Sequence, residues 1–273
     1  MRENGLRRAW ASGRKTVNGW LSIPNAFAAE VMAHQPWDSL TIDMQHGVID
    51  YQAMLGMLQA ISTRPAVVPM ARVPWLEPGI VMKTLDAGAY GIICPMINTP
   101  DEAALFVSCC RYAPQGQRSF GPIRASMYAG PDYGQRANDE VLAIAMIETR
   151  RAVDELDAIL ATPGLDGVYV GPSDLSLSLG HQPALDPEIP EVVDAITTIV
   201  KATKAKGLCA GIHCMAPSYV RRMFDIGFDF ASIASESRLM AMKAQEVIEA
   251  ATGKGGGDAP SVGAPAPASS RTY

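Results

Sequence analysis

Two acidic residues stand just behind apolar runs in this chain. Glu148 follows LAIAMI, and Asp174 closes the GPSD turn that follows DGVYV. A carboxylate placed there must be paired or bound to something, because burying an unsatisfied charge is costly. Two carboxylates fill only part of an octahedral shell. Water and substrate oxygens would complete it around Mg²⁺ or Mn²⁺. Each acid also opens a helical segment, so pairing with an arginine or capping a helix is the competing reading. Arg72, in PMARVP, offers a planar fork suited to a carboxylate or an enolate oxygen. It could equally form a salt bridge with Glu148 or Asp43, and the two roles are compatible. Asp43, Gln45 and His46 share the turn DMQHG. His46, next to Gly47, can titrate and move, which suits a general base; an ordinary surface histidine is the alternative.

The elements that must carry these groups alternate along the chain. Eight short apolar runs occur at 17–22, 38–43, 66–71, 90–94, 142–147, 166–170, 208–213 and 229–233. Helical patterns follow them at 25–34, 50–62, 77–87, 99–112, 149–161, 188–206, 216–226 and 236–250. Strands alternating with helices imply a parallel sheet, and runs apolar on both faces fit strands buried between helices and a barrel interior. Gly88, Gly207 and Gly227 stand where helices should end. The fold predicted is therefore an α/β, eight-stranded parallel (β/α)₈ TIM barrel. A doubly wound open sheet is the alternative, but no GxGxxG marks the first strand–helix junction. In a barrel, reactive groups gather where strands end. Asp43, Gln45, His46, Arg72, Glu148 and Gly171-Pro172-Ser173-Asp174 all fall on that rim, and His213 ends the seventh run there too. For His213 a substrate contact and a packed, hydrogen-bonded histidine both remain open. His34 and His181 have no partner visible in the sequence.

Composition narrows the function classes. The chain has 273 residues and a net charge of −5, with no basic cluster, so nucleic acid is not an expected partner. No apolar run reaches membrane-spanning length, and no apolar stretch follows the charged N-terminus MRENGLRRAW, so neither a membrane nor a signal peptide is expected. Cys94, Cys109, Cys110, Cys209 and Cys214 show no CxxC spacing and read as buried, reduced thiols of a cytoplasmic protein. Residues 1–251 are expected to form the barrel domain. The Gly/Ala/Pro/Ser-rich tail 252–273 is expected to be disordered. The polar connection 113–141 is long enough for a lid or binding loop, and Arg124 within it could meet a distal carboxylate.

IDMQH (42–46), PMARVP (69–74), LDAGAYGIICPMI (85–97), AMIET (145–149) and YVGPSDLSLSLG (169–180) resemble the HpcH/HpaI family of metal-dependent 2-oxo-acid aldolases. That family includes aldolases of 4-hydroxy-2-oxoheptane-1,7-dioate and of 2-dehydro-3-deoxyglucarate. The resemblance spans roughly residues 5–250, in order. It implies a class II lyase that reversibly cleaves 4-hydroxy-2-oxo acids to pyruvate and an aldehyde. It implies Glu148 and Asp174 as ligands of a divalent ion (Mg²⁺, Mn²⁺ or Co²⁺), Arg72 on the oxo acid and its enolate, and His46 in proton transfer. Gly171, Pro172 and Ser173 would take the substrate carboxylate, and Trp20 would line the pocket. Asp86 matches an aspartate that partners the histidine. Since Asp86 lies late in a helix, it would be supplied by a neighbouring subunit of a homo-oligomer, a hexamer built from trimers. The chain departs from many members in carrying Gln45 where they carry Glu, and in reading RSFGPIRA around Arg118 and Arg124.

Aldolases form their nucleophile on a lysine or with a metal. Lysines stand at 15, 83, 201, 204, 206, 243 and 254, and none ends a strand run. The Schiff-base route therefore lacks a candidate, independently of the resemblance. Two rival readings stay open. One is a lyase acting on a CoA thioester or a phosphoenolpyruvate-type substrate, for which Arg118, Arg124 and Arg136 leave room. The other is a non-catalytic oxo-acid-binding barrel. The apolar residues Leu239, Met240, Met242, Val247 and Ile248 on the last helix are expected to pack on their own barrel or on a neighbour's.

Overall fold

The structure, a computed structural model, describes residues 1–253. In chain order the elements are α1 (Gly5–Ala11), β1 (Thr16–Leu21), α2 (Ala26–Ala33), β2 (Ser39–Asp43), α3 (Tyr51–Ile61), β3 (Val68–Arg72), α4 (Pro78–Asp86) and β4 (Gly91–Cys94). Then come α5 (Pro100–Cys110), α6 (Ile123–Ala129), α7 (Tyr133–Glu140), β5 (Leu142–Ile147), α8 (Arg150–Asp154), α9 (Leu156–Leu160), β6 (Gly167–Val170) and α10 (Pro172–Ser178). The chain continues through α11 (Pro190–Ala205), β7 (Cys209–Cys214), α12 (Pro217–Ile226), β8 (Phe230–Ile233) and α13 (Glu236–Thr252). The strands pair in parallel in sequence order, and β8 closes on β1. This is the expected (β/α)₈ barrel.

Local chemistry explains the boundaries. Asn25, Asp50 and Thr99 start α2, α3 and α5 by accepting N–H groups of the first turn, and Thr99 with Glu102 completes a capping box. Gly88, Gly207 and Gly227 take positive φ where α4, α11 and α12 stop. Every residue of β5 is buried, as befits a strand covered on both faces. All five cysteines are buried and unpaired.

Three expectations change. The helix expected over 149–161 is two short helices, α8 and α9, with Glu155 between them. The connection 113–141 is not an open loop, because it folds into α6 and α7. Nor is it a lid over the rim where strands end. It leads from the end of α5 to the start of β5, so it lies at the opposite rim, where strands begin. There Asn4, just before α1, donates to the carbonyls of Tyr90 and Glu140, while Arg7 of α1 bonds the Val141 carbonyl and Asp166. Trp10 stacks on Phe230 with ring centroids 5.0 Å apart. The chain ahead of β1 thus closes the bottom of the barrel.

Residues 1–237 form one compact unit, and a second begins at Arg238. The described part of the second is the continuation of α13, on which Met240, Met242, Val247 and Ile248 are exposed. Helix α13 runs through Thr252, the first residue of the tail expected to be disordered; residues 254–273 of that tail lie outside the described residues. No described helix is long and apolar enough to cross a membrane.

Candidate active site

Asp43 and Arg72 end neighbouring strands and are direct cross-strand partners. Their side chains form a two-pronged ion pair: Nε donates to Oδ1 at 2.8 Å and Nη2 to Oδ2 at 2.7 Å. Both are nearly buried, at 3% and 7% exposure. Asp43 also accepts from Trp20 Nε1 at 3.1 Å and from the N–H groups of Gln45 and His46. Burial pushes its carboxyl pKa up, but the Arg72 guanidinium and these donors outweigh that and hold it below the ordinary carboxylate value. Asp43 is therefore a fixed anion that sets the orientation of Arg72. The guanidinium lies 4.8 Å from the Trp20 ring centre, and its remaining nitrogen, Nη1, faces Met146 Sδ at 3.9 Å. Of the sequence alternatives for Arg72, the salt bridge to Asp43 is the one formed. It leaves Nη1 with Met146 Sδ as its neighbour rather than an oxygen of Asp43.

Glu148 follows β5 and is 1% exposed. Its Oε1 accepts from the Met96 N–H at 2.8 Å. Met96 holds a left-handed φ of 56° in the turn after β4, and Asn98 Nδ2 braces that turn by donating to the Met96 carbonyl. Burial raises the Glu148 pKa to about 7. The Met96 N–H opposes the rise, the Asp174 charge adds to it, and Arg72 opposes it. Asp174 sits half-buried in the first turn of α10, whose N-terminus has no side-chain cap. Two neighbouring carboxylates, one of them buried and destabilised as an anion, form a hard-oxygen donor set that fits a divalent cation. Gln45 Oε1, in the same rim turn as His46, is buried without a protein partner, as an atom that bonds solvent or ligand would be. Among the described residues no three His, Cys, Asp or Glu side chains converge on one point. A bound ion would therefore take its remaining ligands from water and substrate.

A profile of the HpcH/HpaI aldolase/citrate lyase family matches residues 18–242. The chain belongs to this family. It is 42% identical over 245 residues to a hydroxypyruvate/pyruvate aldolase of Rhizorhabdus wittichii, covering 90% of this chain and 97% of that one. It is 35% identical over 246 residues to a 4-hydroxy-2-oxo-heptane-1,7-dioate aldolase of Salmonella dublin, covering 89% and 92%. An HpcH/HpaI aldolase/citrate lyase family protein from Burkholderia cenocepacia superposes with a TM-score of 0.85 at 32% identity, covering 91% and 99%. At this level the HpcH/HpaI chain described here is an aldolase, a carbon–carbon lyase of small molecules.

The remaining expected residues divide between the two rims. His46 is exposed on the turn after β2, and Gly47 makes that turn possible, since a Cβ there would collide with the Asp43 carbonyl. Gly171 and Pro172 are buried and Ser173 half-buried at the head of α10. Asp86 departs from this group. It is the last residue of α4, which runs from the strand-end rim back to the start of β4, and its carboxylate is paired with Arg118 at 2.7 Å. Within one chain it is not a partner of His46. Arg124 also lies on the far rim, bonded to the carbonyls of Ala87 and Leu58. It does not reach a substrate held by its own barrel. His181 has a partner after all: its Nε2 meets Glu191 at 2.9 Å.

Several contributors were not singled out in the sequence. Met96 acts through its backbone, and Met146 faces Arg72; neither type advertises a role. Glu236, after β8, accepts the N–H groups of Ser22 and Ile23 at 2.6 and 2.7 Å and fixes the turn after β1. An acid three residues behind the run DFASI carried a weaker form of the mark that Glu148 carries. Tyr169, in the apolar run DGVYV, reads as core yet bonds His213 and Ser232.

Proposed function

We propose that residues 1–251 form a class II pyruvate aldolase. It would cleave 4-hydroxy-2-oxo acids reversibly to pyruvate and an aldehyde, with a divalent ion held by Glu148 and Asp174. The observation that carries this reading is the buried Glu148 carboxylate beside Asp174, an arrangement that needs a cation to be stable as an anion pair. The described lysines support it by their placement. Lys15 bonds the Gly227 carbonyl at the rim where strands begin; Lys83, Lys201, Lys204 and Lys243 are on helices; and Lys206 caps α11.

The ion, Mg²⁺, Mn²⁺ or Co²⁺, would supply Lewis-acid stabilisation of the negative charge that develops on the 2-oxo oxygen. The chain's own groups do the rest. Free N–H groups at the head of α10, around Ser173, receive the substrate carboxylate, and the absence of a cap leaves them available. Arg72, locked by Asp43, directs Nη1 at the enolate oxygen. Trp20 walls the pocket beside it. His46 takes the proton from the C4 hydroxyl as the C3–C4 bond breaks. The bonding electrons pass into the enolate of pyruvate, which is then protonated at C3. Such prepositioned charges act without reorganisation at the moment of reaction.

Asp86 fits the proton-transfer role only from a neighbouring subunit, which makes a homo-oligomer, hexameric or trimer-based, part of the proposal. The arginines that left room for a CoA or phosphoenolpyruvate substrate are engaged on the far rim: Arg118 with Asp86, Arg124 with carbonyls, Arg136 with Glu140. That weighs against the rival lyase. Buried, unpaired cysteines support a cytoplasmic location. The proposal is tested by titrating Mn²⁺ into the purified protein and into Glu148→Ala and Asp174→Ala. Each variant should lose tight binding together with pyruvate release; unchanged binding in both would overturn the ligand assignment.

A further inference from the structure

Glu236, the first residue of α13, is 6% exposed, and its carboxylate serves the turn after β1 more than its own helix. Oε1 accepts the Ser22 and Ile23 N–H groups at 2.6 and 2.7 Å. Oε2 accepts the Ser22 hydroxyl and the Ser237 N–H, both at 3.1 Å. One of these donors belongs to the helix that Glu236 opens; the other three belong to Ser22 and Ile23. A helix cap would spend its oxygen on N–H groups of its own first turn. A buried anion that takes another element's donors forms stronger hydrogen bonds than a neutral acceptor would. Ser237 Oγ adds a contact to Ser22 Oγ at 2.8 Å. The turn after β1 is thereby held in one position.

Ser22 presents its carbonyl to the next turn along the rim. That carbonyl accepts the Val48 N–H at 3.1 Å. Gly47 approaches so closely that a Cβ there would lie 3.2 Å from Ser22 Cα. At its other end the same turn hangs on Asp43 Oδ1, which accepts the Gln45 and His46 N–H groups at 3.0 and 3.3 Å. His46 thus sits between two anchors, Asp43 before it and Ser22 after it. Its side chain is exposed, so the backbone of this turn decides where the imidazole stands. Trp20, two residues before Ser22, is fixed independently by its pairing with Thr41 and by its bond to Asp43.

We infer that Glu236 is a positioning residue for His46: through Ser22 it fixes the turn that carries the general base. With Glu236 gone, Ser22 is released and the His46 turn can pivot about its remaining anchor at Asp43. The groups proposed to hold the ion and the oxo acid stand on other elements. Glu148 follows β5, Asp174 lies on α10, and Arg72 is paired with Asp43. Losing Glu236 should therefore impair proton transfer and spare binding. The inference rests on the aldolase reading with His46 as its base.

The test is a double-mutant cycle on kcat for pyruvate release from 4-hydroxy-2-oxoheptane-1,7-dioate, with KM and Mn²⁺ affinity measured for every variant. His46→Ala should lower kcat about 10²–10⁴-fold, the range of general acid–base catalysis. Glu236→Ala should lower it about 10²-fold, the cost of a misplacement of about 1 Å, with KM and the Mn²⁺ Kd changed less than about threefold. Glu236→Gln, whose amide oxygen can still take the Ser22 and Ile23 N–H groups, should lose only about tenfold. In the His46→Ala background, Glu236→Ala should cost less than about threefold more, because a residue that acts through another is not additive with it. An unchanged kcat in Glu236→Ala, an equal further loss in the His46→Ala background, or a fall in Mn²⁺ affinity that accounts for the loss overturns the inference. Should Glu236→Ala fail to fold, the same comparison with Glu236→Gln decides it. A His46→Ala enzyme with wild-type kcat would instead overturn the role of His46 as base, and this inference with it.

Discussion

A methyl group on Gly171 would lie 2.5 Å from Glu148 Oε2 and 2.6 Å from the Met146 methyl. The turn from β6 into α10 therefore passes against the buried carboxylate with no room for any side chain. One residue fixes the position of Glu148 and begins the segment that carries Asp174. With Met96 N–H on Oε1, the carboxylate is held from two sides.

Gly171→Ala follows from this contact. Its φ is −100°, so the backbone itself accepts alanine, and the cost is a clash with the carboxylate. The fold should lose about 1–3 kcal/mol, as for overpacking elsewhere. Mn²⁺ affinity should fall by 10-fold or more, as when the support of a metal ligand is disturbed. Calorimetric titration with a parallel melting curve separates the two effects.

The Asp43–Arg72 pair gives opposite expectations for its two halves. Asp43→Ala leaves a buried guanidinium unpaired and should destabilise the protein by about 3–5 kcal/mol. Arg72→Lys keeps a charge but loses the two-pronged geometry and the third nitrogen. Its kcat should fall about 10²–10³-fold, the loss typical of a donor to a developing oxyanion. Denaturant melts and steady-state kinetics on both variants check this.

The Glu148 pKa of about 7, above its ordinary 4.5, sets a pH dependence. The metal-free folded state binds this proton more tightly than the unfolded chain does. Its stability is therefore greatest below pH 4.5 and declines as pH rises toward 7. Metal binding needs the anion, so affinity should fall about tenfold per pH unit below pH 7 if one proton is displaced. The melting-temperature gain on adding Mn²⁺ should be large at pH 8 and nearly absent at pH 5. Glu148→Gln, neutral at every pH, should melt higher than wild type at pH 8 when both are metal-free.

The exposed apolar residues of α13 bear on assembly. Met240, Met242, Val247 and Ile248 are 55–61% exposed. Large apolar residues left exposed on one helix suit an association surface. The proposed oligomer should be visible by light scattering. Replacing Met242 and Val247 together with glutamate should shift it toward smaller species. A wild-type monomer with full activity would contradict an Asp86 supplied by a neighbour.

The barrel was legible because each strand is a short apolar run between helix caps and glycine stops, and every expected run overlaps an observed strand within two residues. The rim positions of Glu148, Asp174 and Arg72 were legible for a related reason: each lies at or a few residues past the end of a buried strand. The reading failed where position along the chain conceals position in space. The 113–141 connection looked like a lid because it is long and polar, yet an α-to-β link lies at the rim where strands begin. Arg124 was displaced with it. Tyr169, Ser232 and Asn18 were hidden because a polar group inside an apolar run shows its purpose only when its cross-strand neighbours are known.

The central claim, metal-assisted cleavage at Glu148 and Asp174, is tested most directly by pyruvate release from 4-hydroxy-2-oxoheptane-1,7-dioate. It would be measured before chelation, after it, and after Mg²⁺ or Mn²⁺ is restored, with borohydride added to a parallel reaction. The account predicts activity that disappears with the chelator, returns with metal and is untouched by borohydride. Activity that survives chelation, or that borohydride traps as a covalent adduct, would contradict it and return the chemistry to a lysine.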